Sequence, residues 1–425
     1  MYDDLGSAEL GCFGQKKIRT PHSDRLAKQG TRFTACYAGG SVCAPSRSVL
    51  MTGLHLGHTA VRANALTEPI EANDVTVAEV LKQAGYATGG FGKWGLGDAG
   101  STGAPTRQGF DEFFGYLHQV HAHSYWPEYL WDGETKFPLP ENAGGKMGRY
   151  SADVIAERMY QFVERNRSRP FFLYATPTLP HAAYHPPDEG DYRDEAWTPS
   201  QKKYASMVSR ADAQLGRILA LLDQYGLASN TIVICTSDNG GPTRSPADDA
   251  FFRTNGDLRD FKGTLWEGGL RVPMIVRWPG RVTPGGMNAS PCYFADFLPT
   301  AAEIAGVKKS ALPKGLDGVS LVPAFAGKAM RPRFLYWEQE RWSAKPKGMV
   351  AGTLEQAARW GDWKAVRRRQ ARLQLFNLAA DAAEKNDVAD AHPTVVAKFE
   401  VYLATARVAA RPHDRGQAEW AGQKE

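Results

Sequence analysis

Apolar positions fall into short runs and helical stripes that alternate along the chain as far as about residue 310. Over residues 201–225, Tyr204, Met207, Val208, Ala211, Leu215, Ile218, Leu219 and Leu222 recur at helical spacing, which predicts a helix with one face laid on a sheet. Residues 231–236 form a β-branched run that is apolar on both faces and bounded by turn residues, the pattern of a buried parallel strand. Residues 75–84 read as a helix closed by Gly85, 86–91, 171–175 and 272–278 as strands, and 295–305 as another helix. Such alternation predicts an α/β domain with a largely parallel sheet flanked by helices. Beyond residue 330, the segments 334–337, 360–366 and 372–378 read as strands of a small antiparallel sheet followed by a C-terminal helix. The chain thus divides into a main domain over 1–329 and a subdomain over 330–425. The Gly/Pro-rich stretches 97–109 and 132–149 read as surface loops.

Composition narrows the class. With 43% hydrophobic residues, 425 residues can bury one large core and a smaller appended one. The net charge of +5 contains no long run of like charges, so it favours anionic substrates weakly and nucleic acid hardly at all. The five cysteines, Cys12, Cys36, Cys43, Cys235 and Cys292, are scattered without a CxxC pair, which argues against a disulfide scaffold or a zinc site. No apolar stretch reaches the roughly 18–20 residues that cross a bilayer. The chain opens directly on Tyr2-Asp3-Asp4-Leu5-Gly6, a loop with two carboxylates and nothing ahead of it as support. The expectation is a natural chain that starts earlier, with an apolar strand of about five to seven residues before Asp3. Any secretion signal would then lie upstream too.

Hard cations such as Ca²⁺ and Mg²⁺ take oxygen ligands, and two compact sets, Asp3/Asp4 and Asp238/Asn239, each follow an expected strand end. The remaining chemistry centres on Ser41-Val42-Cys43-Ala44-Pro45-Ser46-Arg47, with Thr52-Gly53 shortly after. This Cys-x-Pro-Ser-Arg pattern resembles the signature of the type I, formylglycine-dependent, arylsulfatase-like sulfatases of the alkaline phosphatase superfamily. In that family the cysteine is oxidised to formylglycine, whose hydrate carries two hydroxyls: one attacks sulfur, and the other collapses the adduct to expel sulfate. Further segments are similar to the family's motifs in order: Gly92-Lys93-Trp94, Thr236-Ser237-Asp238-Asn239-Gly240-Gly241, and Lys262-Gly263 with Glu267-Gly268-Gly269.

The resemblance implies an alkaline-phosphatase-like fold and hydrolysis of aryl sulfates or sulfated carbohydrates. It also implies a metal, Ca²⁺ or Mg²⁺, on Asp3, Asp4, Asp238, Asn239 and an oxygen of modified Cys43. Lys93 and Lys262 would bind sulfate, Arg47 would clamp the hydrate, for which a rigid guanidinium suits, and His181 would protonate the leaving oxygen. A maturation enzyme, either formylglycine-generating or anaerobic, would convert Cys43, and the full-length protein would be periplasmic or secreted. One departure stands out: where many members have a histidine two residues after the lysine, this chain has Gly95. In the segment His118-Gln119-Val120-His121-Ala122-His123, alternate residues would present His121 and His123 to one side, and His123 is the expected substitute. The aromatic stretch 125–131 reads as a substrate subsite or as core. The rival readings are a phosphonate or phosphate ester hydrolase of the same superfamily and an inactive binding homologue.

Overall fold

A computed structural model describes residues 1–64, 69–243, 246–344 and 347–409. The N-terminal part contains strands β1 (Thr31–Tyr37), β2 (Ala87–Lys93), β3 (Glu112–Tyr116), β4 (Tyr129–Asp132), β5 (Thr135–Pro138), β6 (Phe171–Thr176), β7 (Val233–Thr236), β8 (Arg271–Arg277), β9 (Gly286–Asn288) and β10 (Cys292–Tyr293). They form two sheets, in the order β5-β4-β3-β2-β6 and β10-β1-β8-β7 with β9 also on β1. β2 runs parallel to β3 and β6, as expected. β8 runs antiparallel to both β1 and β7, so the second sheet is mixed. The strand over 231–236, expected to be parallel, therefore pairs antiparallel with β8, because an apolar run records burial and not direction. Its parallel neighbour is a bridge between Ser237 and Tyr2.

β6 and β7 are the facing edges of the two sheets, and between them lies an apolar slot of about 690 Å³ bordered by both strands and by Leu81, Met159, Ile218 and Phe297 of the surrounding helices. Met1 and Tyr2 line it as well. The Met1 ammonium donates to the Ala175 carbonyl at 2.6 Å, and the Tyr2 amide donates to Thr236 at 2.8 Å. Two residues thus join the sheets.

Helices α1 (Pro21–Gln29), α2 (Cys43–Thr52), α3 (Val77–Gln83), α4 (Ser151–Arg165) and α5 (Pro199–Gln224) surround these sheets. α3 starts on a capping box between Thr76 and Glu79, and α5 on one between Thr198 and Gln201, each satisfying end donors that a helix leaves open. Of the apolar stripe of α5, Tyr204, Met207, Val208, Ala211, Leu219 and Leu222 are buried and Leu215 and Ile218 half-buried. The helix expected over 295–305 splits into a 3₁₀ turn, Phe294–Asp296, and a helix, Phe297–Ile304.

In the C-terminal part, β11 (Phe334–Gln339), the hairpin β12 (Trp342–Ala344) and β13 (Lys347–Met349), β14 (Glu355–Trp360), β15 (Trp363–Arg368) and β16 (Gln374–Asn377) precede the helix Pro393–Thr405. The order β11-β14-β15-β16 is antiparallel throughout. Sequence reading missed β14, and it took the β4–β5 hairpin for a loop because Gly133 and its polar neighbours mask the pattern. This sheet shares the main core: the Trp337 indole donates to the Ala38 carbonyl at 2.8 Å, and buried Lys364 pairs with Glu267 and Glu384 at 3.0 and 2.8 Å. One face of this sheet joins the main core, while its other face packs with the C-terminal helix into a cluster of its own.

Candidate active site

Cys43 is the first residue of α2, a helix buried along its whole length, and Arg47 lies one turn further on the same face. Ser46, inside the same motif, donates to the Asp238 carbonyl at 2.5 Å and accepts from the Gly39 amide at 3.0 Å, which locks the helix start against the loop after β7. The Asp3-Asp4 loop reaches the same point from the other side: the Asp4 amide donates to Asp238 Oδ1 at 3.1 Å and the Leu5 amide to Ser237 Oγ at 2.9 Å. Asp4 itself has φ +68, a left-handed conformation that brings both carboxylates to the cluster.

Three carboxylates, Asp3, Asp4 and Asp238, meet three permanent cations here. Arg47 contacts Asp238 Oδ2 through Nη2 at 2.8 Å and Nε at 3.1 Å, and Asp3 at 3.5 Å. Lys93 lies 2.9 Å from Asp3 Oδ2, and Lys262 lies 2.7 Å from the Asp4 carboxylate and 3.6 Å from Cys43 Sγ. Cys43 Sγ is 3.7 Å from Asp3 Oδ1. His181 Nε2 lies 3.3 Å from both Lys262 Nζ and Asp4 Oδ2. All the residues singled out from sequence therefore converge except one class of contact: His121 and His123 separate. His121 is wedged between Tyr116 and Tyr129, at 4.9 and 4.5 Å, while the His123 ring stacks on His181 at 4.6 Å. Alternate residues part because 121–123 is a 3₁₀ turn and not an extended segment.

Burial pushes the carboxyls of Asp3 and Asp4 up, but the cations around them win and hold both below the usual carboxylate range. Asp238, where burial and the charge of Asp3 add, is pushed up. Burial raises the Cys43 thiol to about 12, so it is a poor nucleophile as it stands. Burial and the charge of His181 lower His123 to about 4.

The donor set fits a hard cation. Ligand atoms of Asp3, Asp4, Cys43 and His181 lie within 4.8 Å of one another, and the buried Asn239 Oδ1, beside Asp4, has no hydrogen-bond donor. A thiol is a mismatch for such an ion, whereas an oxygen at residue 43 is not.

Two supporting residues escaped the sequence reading. Tyr125, from the aromatic stretch, is core: its hydroxyl lies 2.8 Å from the carbonyls of Thr178 and His181 and fixes the turn that carries His181. Gln119 is buried against Gly95, with its Nε2 3.4 Å from the Gly95 carbonyl. Neither has a sequence signal of its own, since both act through contacts distant along the chain.

A buried nucleophile position at a helix start, facing carboxylates and lysines beyond strand ends, defines a hydrolase that handles tetrahedral oxyanions. The chain belongs to the sulfatase family: the family's profile, described as Sulfatase, matches residues 1–307, and that of the N-sulphoglucosamine sulphohydrolase C-terminal region matches 258–407. Membership makes it a sulfuric ester hydrolase of the alkaline phosphatase superfamily. The chain is 32% identical to mouse steryl-sulfatase over 78% of its length, spanning 65% of that protein, and 33% identical to human arylsulfatase A, with 85% and 73% covered. It is 29% identical to an N-acetylgalactosamine-6-O-sulfatase of Bacteroides thetaiotaomicron, with 95% and 91% covered. Among solved structures it resembles Ps i-CgsB in complex with k-i-k-neocarrahexaose, with a TM-score of 0.83 at 27% identity and 96% and 92% coverage. Among the described residues no helix is long and apolar enough to cross a membrane.

Proposed function

We propose that the protein hydrolyses sulfate esters of carbohydrates, with aryl sulfates as simpler substrates, through a formylglycine derived from Cys43. The observation that carries this reading is the placement of buried Cys43 within 3.7 Å of Asp3 and 3.6 Å of the partly exposed Lys262, where a thiol raised by burial is a poor nucleophile. Asp3, Asp4, Asp238 and Asn239 would hold Ca²⁺, or Mg²⁺, which would neutralise charge on the sulfate when bound. Lys93 and Lys262 bind the sulfuryl oxygens, and Arg47 holds residue 43 and Asp238 in register.

One hydroxyl of the residue-43 hydrate attacks sulfur, and the S–O bond to the sugar breaks. His181 gives a proton to the leaving oxygen. The second hydroxyl then loses its proton, the C–O bond to the sulfate breaks, and the aldehyde returns with release of sulfate. His123, whose ring stacks on that of His181, would take that proton. The relatives with carbohydrate names, and a neighbour solved with k-i-k-neocarrahexaose, support the choice of sugar over aryl substrate. A phosphonate monoester hydrolase shares the fold at TM-score 0.68, but no residue contact here favours that chemistry. Conversion of Cys43 requires a maturation enzyme as partner, and secretion to the periplasm or medium fits such a substrate.

The test pairs mass and rate. Protein matured in its own host is expected to be lighter by about 18 Da at residue 43, to turn over nitrophenyl sulfate well above nitrophenyl phosphate, and to lose turnover in Cys43→Ala. An unshifted mass together with undiminished turnover in that variant would sink the reading.

A further inference from the structure

The rim of the site beside the C-terminal sheet holds a row of polar side chains that the mechanism leaves unused. Ser41, two residues before Cys43, donates to Gln339 Oε1 at 3.1 Å; Gln339 Nε2 donates to Glu355 at 2.8 Å; and Arg368 Nε donates to the same carboxylate at 3.4 Å. Gln339, Glu355 and Arg368 stand opposite one another across β11, β14 and β15. At about 4.8 Å per strand, the row ends roughly 10 Å from Gln339. It leads outward from the nucleophile.

At its outer end the chain turns through Arg369, exposed and with φ +55, and on to Arg372. Here a cleft of about 470 Å³ is bordered by Arg368, Arg369 and Arg372 against Glu355 and Asp387. Glu355 pairs with Arg368, and Asp387 and Asp390 both pair with Arg372, so among the described residues Arg369 is the guanidinium left over. Arg368 and Arg372 are steered by Glu355 and Asp387 yet remain 59% and 61% exposed, and Arg369 has no ion-pair partner among the described residues. Exposed pairs of this kind contribute little to stability, and a non-glycine residue at positive φ costs some. Stability therefore does not account for the arrangement. On the inner side, Phe261 stands 39% exposed immediately before Lys262. It follows Asp260, which is close enough to Arg368 to feel its charge.

We infer that this rim is a substrate subsite: Arg368 and Arg369 bind a second anionic group, sulfate or carboxylate, on a sugar neighbouring the one whose sulfate is cleaved at residue 43, and Phe261 offers its ring to the sugar between. This rests on the function proposed above. A planar guanidinium matches both oxyanions with paired hydrogen bonds, and an aromatic face suits the apolar face of a pyranose. A small aryl sulfate would fill the inner site and leave the rim empty.

The experiment measures neocarratetraose bearing sulfate on both galactose residues, and on one only, as inhibitors of nitrophenyl sulfate turnover by the mature protein. Binding is then read whether or not the oligosaccharide is cleaved. The doubly sulfated form is expected to bind about tenfold more tightly, the scale of one charge-assisted contact, and added salt is expected to shrink that preference. Arg368→Gln, which keeps a hydrogen-bonding side chain, and Arg369→Ala, at an exposed turn, are each expected to reduce the ratio to below about threefold. Equal inhibition by the two oligosaccharides, no inhibition by either, or an undiminished ratio in both variants overturns the inference while leaving sulfatase activity intact. Absence of nitrophenyl sulfate turnover in protein modified at residue 43 overturns both readings.

Discussion

The carboxamide of Gln119 occupies the space that a side chain on Gly95 would need: a Cβ built on Gly95 would lie 2.3 Å from Gln119 Nε2. Gly95 also has φ +80, a conformation that L-residues adopt at a cost of about 1–2 kcal/mol. The histidine common at this position in the family would thus need a strained backbone and a displaced Gln119 carboxamide. Gly95→His is expected to lower the unfolding midpoint by a few degrees and to reduce turnover, not raise it. Coupling Gly95→His with Gln119→Gly should recover part of the stability, because the two changes share one contact. Thermal scans of the three variants check this, and a gain in turnover by Gly95→His alone would refute it.

Much of this site was legible in the sequence because its motifs are local. Cys43 and Arg47 share one helix face, Asp3 and Asp4 are adjacent, and Asp238 and Asn239 sit in one turn. What the sequence withheld depends on long-range pairing. The direction of β8, the stacking of His123 on His181, and the support of His181 by Tyr125 are each set by a partner dozens of residues away, while the local 3₁₀ turn parts His121 from His123. The 231–236 run reported burial faithfully but carried no information on which way its neighbour runs. A strand as short and polar as β14, with Glu355 and Gln356 at its start, shows too little alternation to be read without β11 and β15 beside it.

Removing the cation should destabilise the fold itself. Asp3, Asp4 and Asp238 lie buried together, and Asn239 Oδ1 faces no donor. An ion bound only to the folded chain adds about 2.7 kcal/mol when its concentration is a hundred times its dissociation constant. Ca²⁺ is therefore expected to raise the unfolding midpoint and EGTA to lower it, with the response abolished in Asp3→Asn. A midpoint indifferent to both additions would tell against a metal on these residues.

Acid should unfold the protein in a defined window. Burial lowers His55, His121 and His123 each to about 4, against about 6.5 in an unfolded chain. Between those values the unfolded chain binds more protons, so stability rises with pH and is lost as pH falls from about 6.5 to 4. Asp3 and Asp4, held below the usual range by their cations, act in the same direction at lower pH, while Asp238, pushed up by burial and Asp3, opposes them. His121→Gln is expected to flatten the dependence of the midpoint on pH. A midpoint constant from pH 6.5 to 4.5 would contradict the assignment of neutral buried imidazoles.

The slot between β6 and β7 offers a last measurement. It presents two strand edges and an apolar lining over about 690 Å³, a void that close-packed interiors do not keep. At its end the Met1 ammonium is buried, and burial lowers its affinity for the proton. A peptide bond at that nitrogen would remove the charge while keeping the hydrogen bond to Ala175. An extended segment of about six apolar residues has the length to reach across such a slot and pair with both edges. Each side chain it buries would contribute about 1.5–3 kcal/mol. Fusing six β-branched residues ahead of Met1 is expected to raise the unfolding midpoint by several degrees and to slow modification of Cys36, Cys235 and Cys292, which line the slot. A Gly-Ser extension of equal length should do neither. If the two extensions behave alike, the expectation of an upstream strand falls.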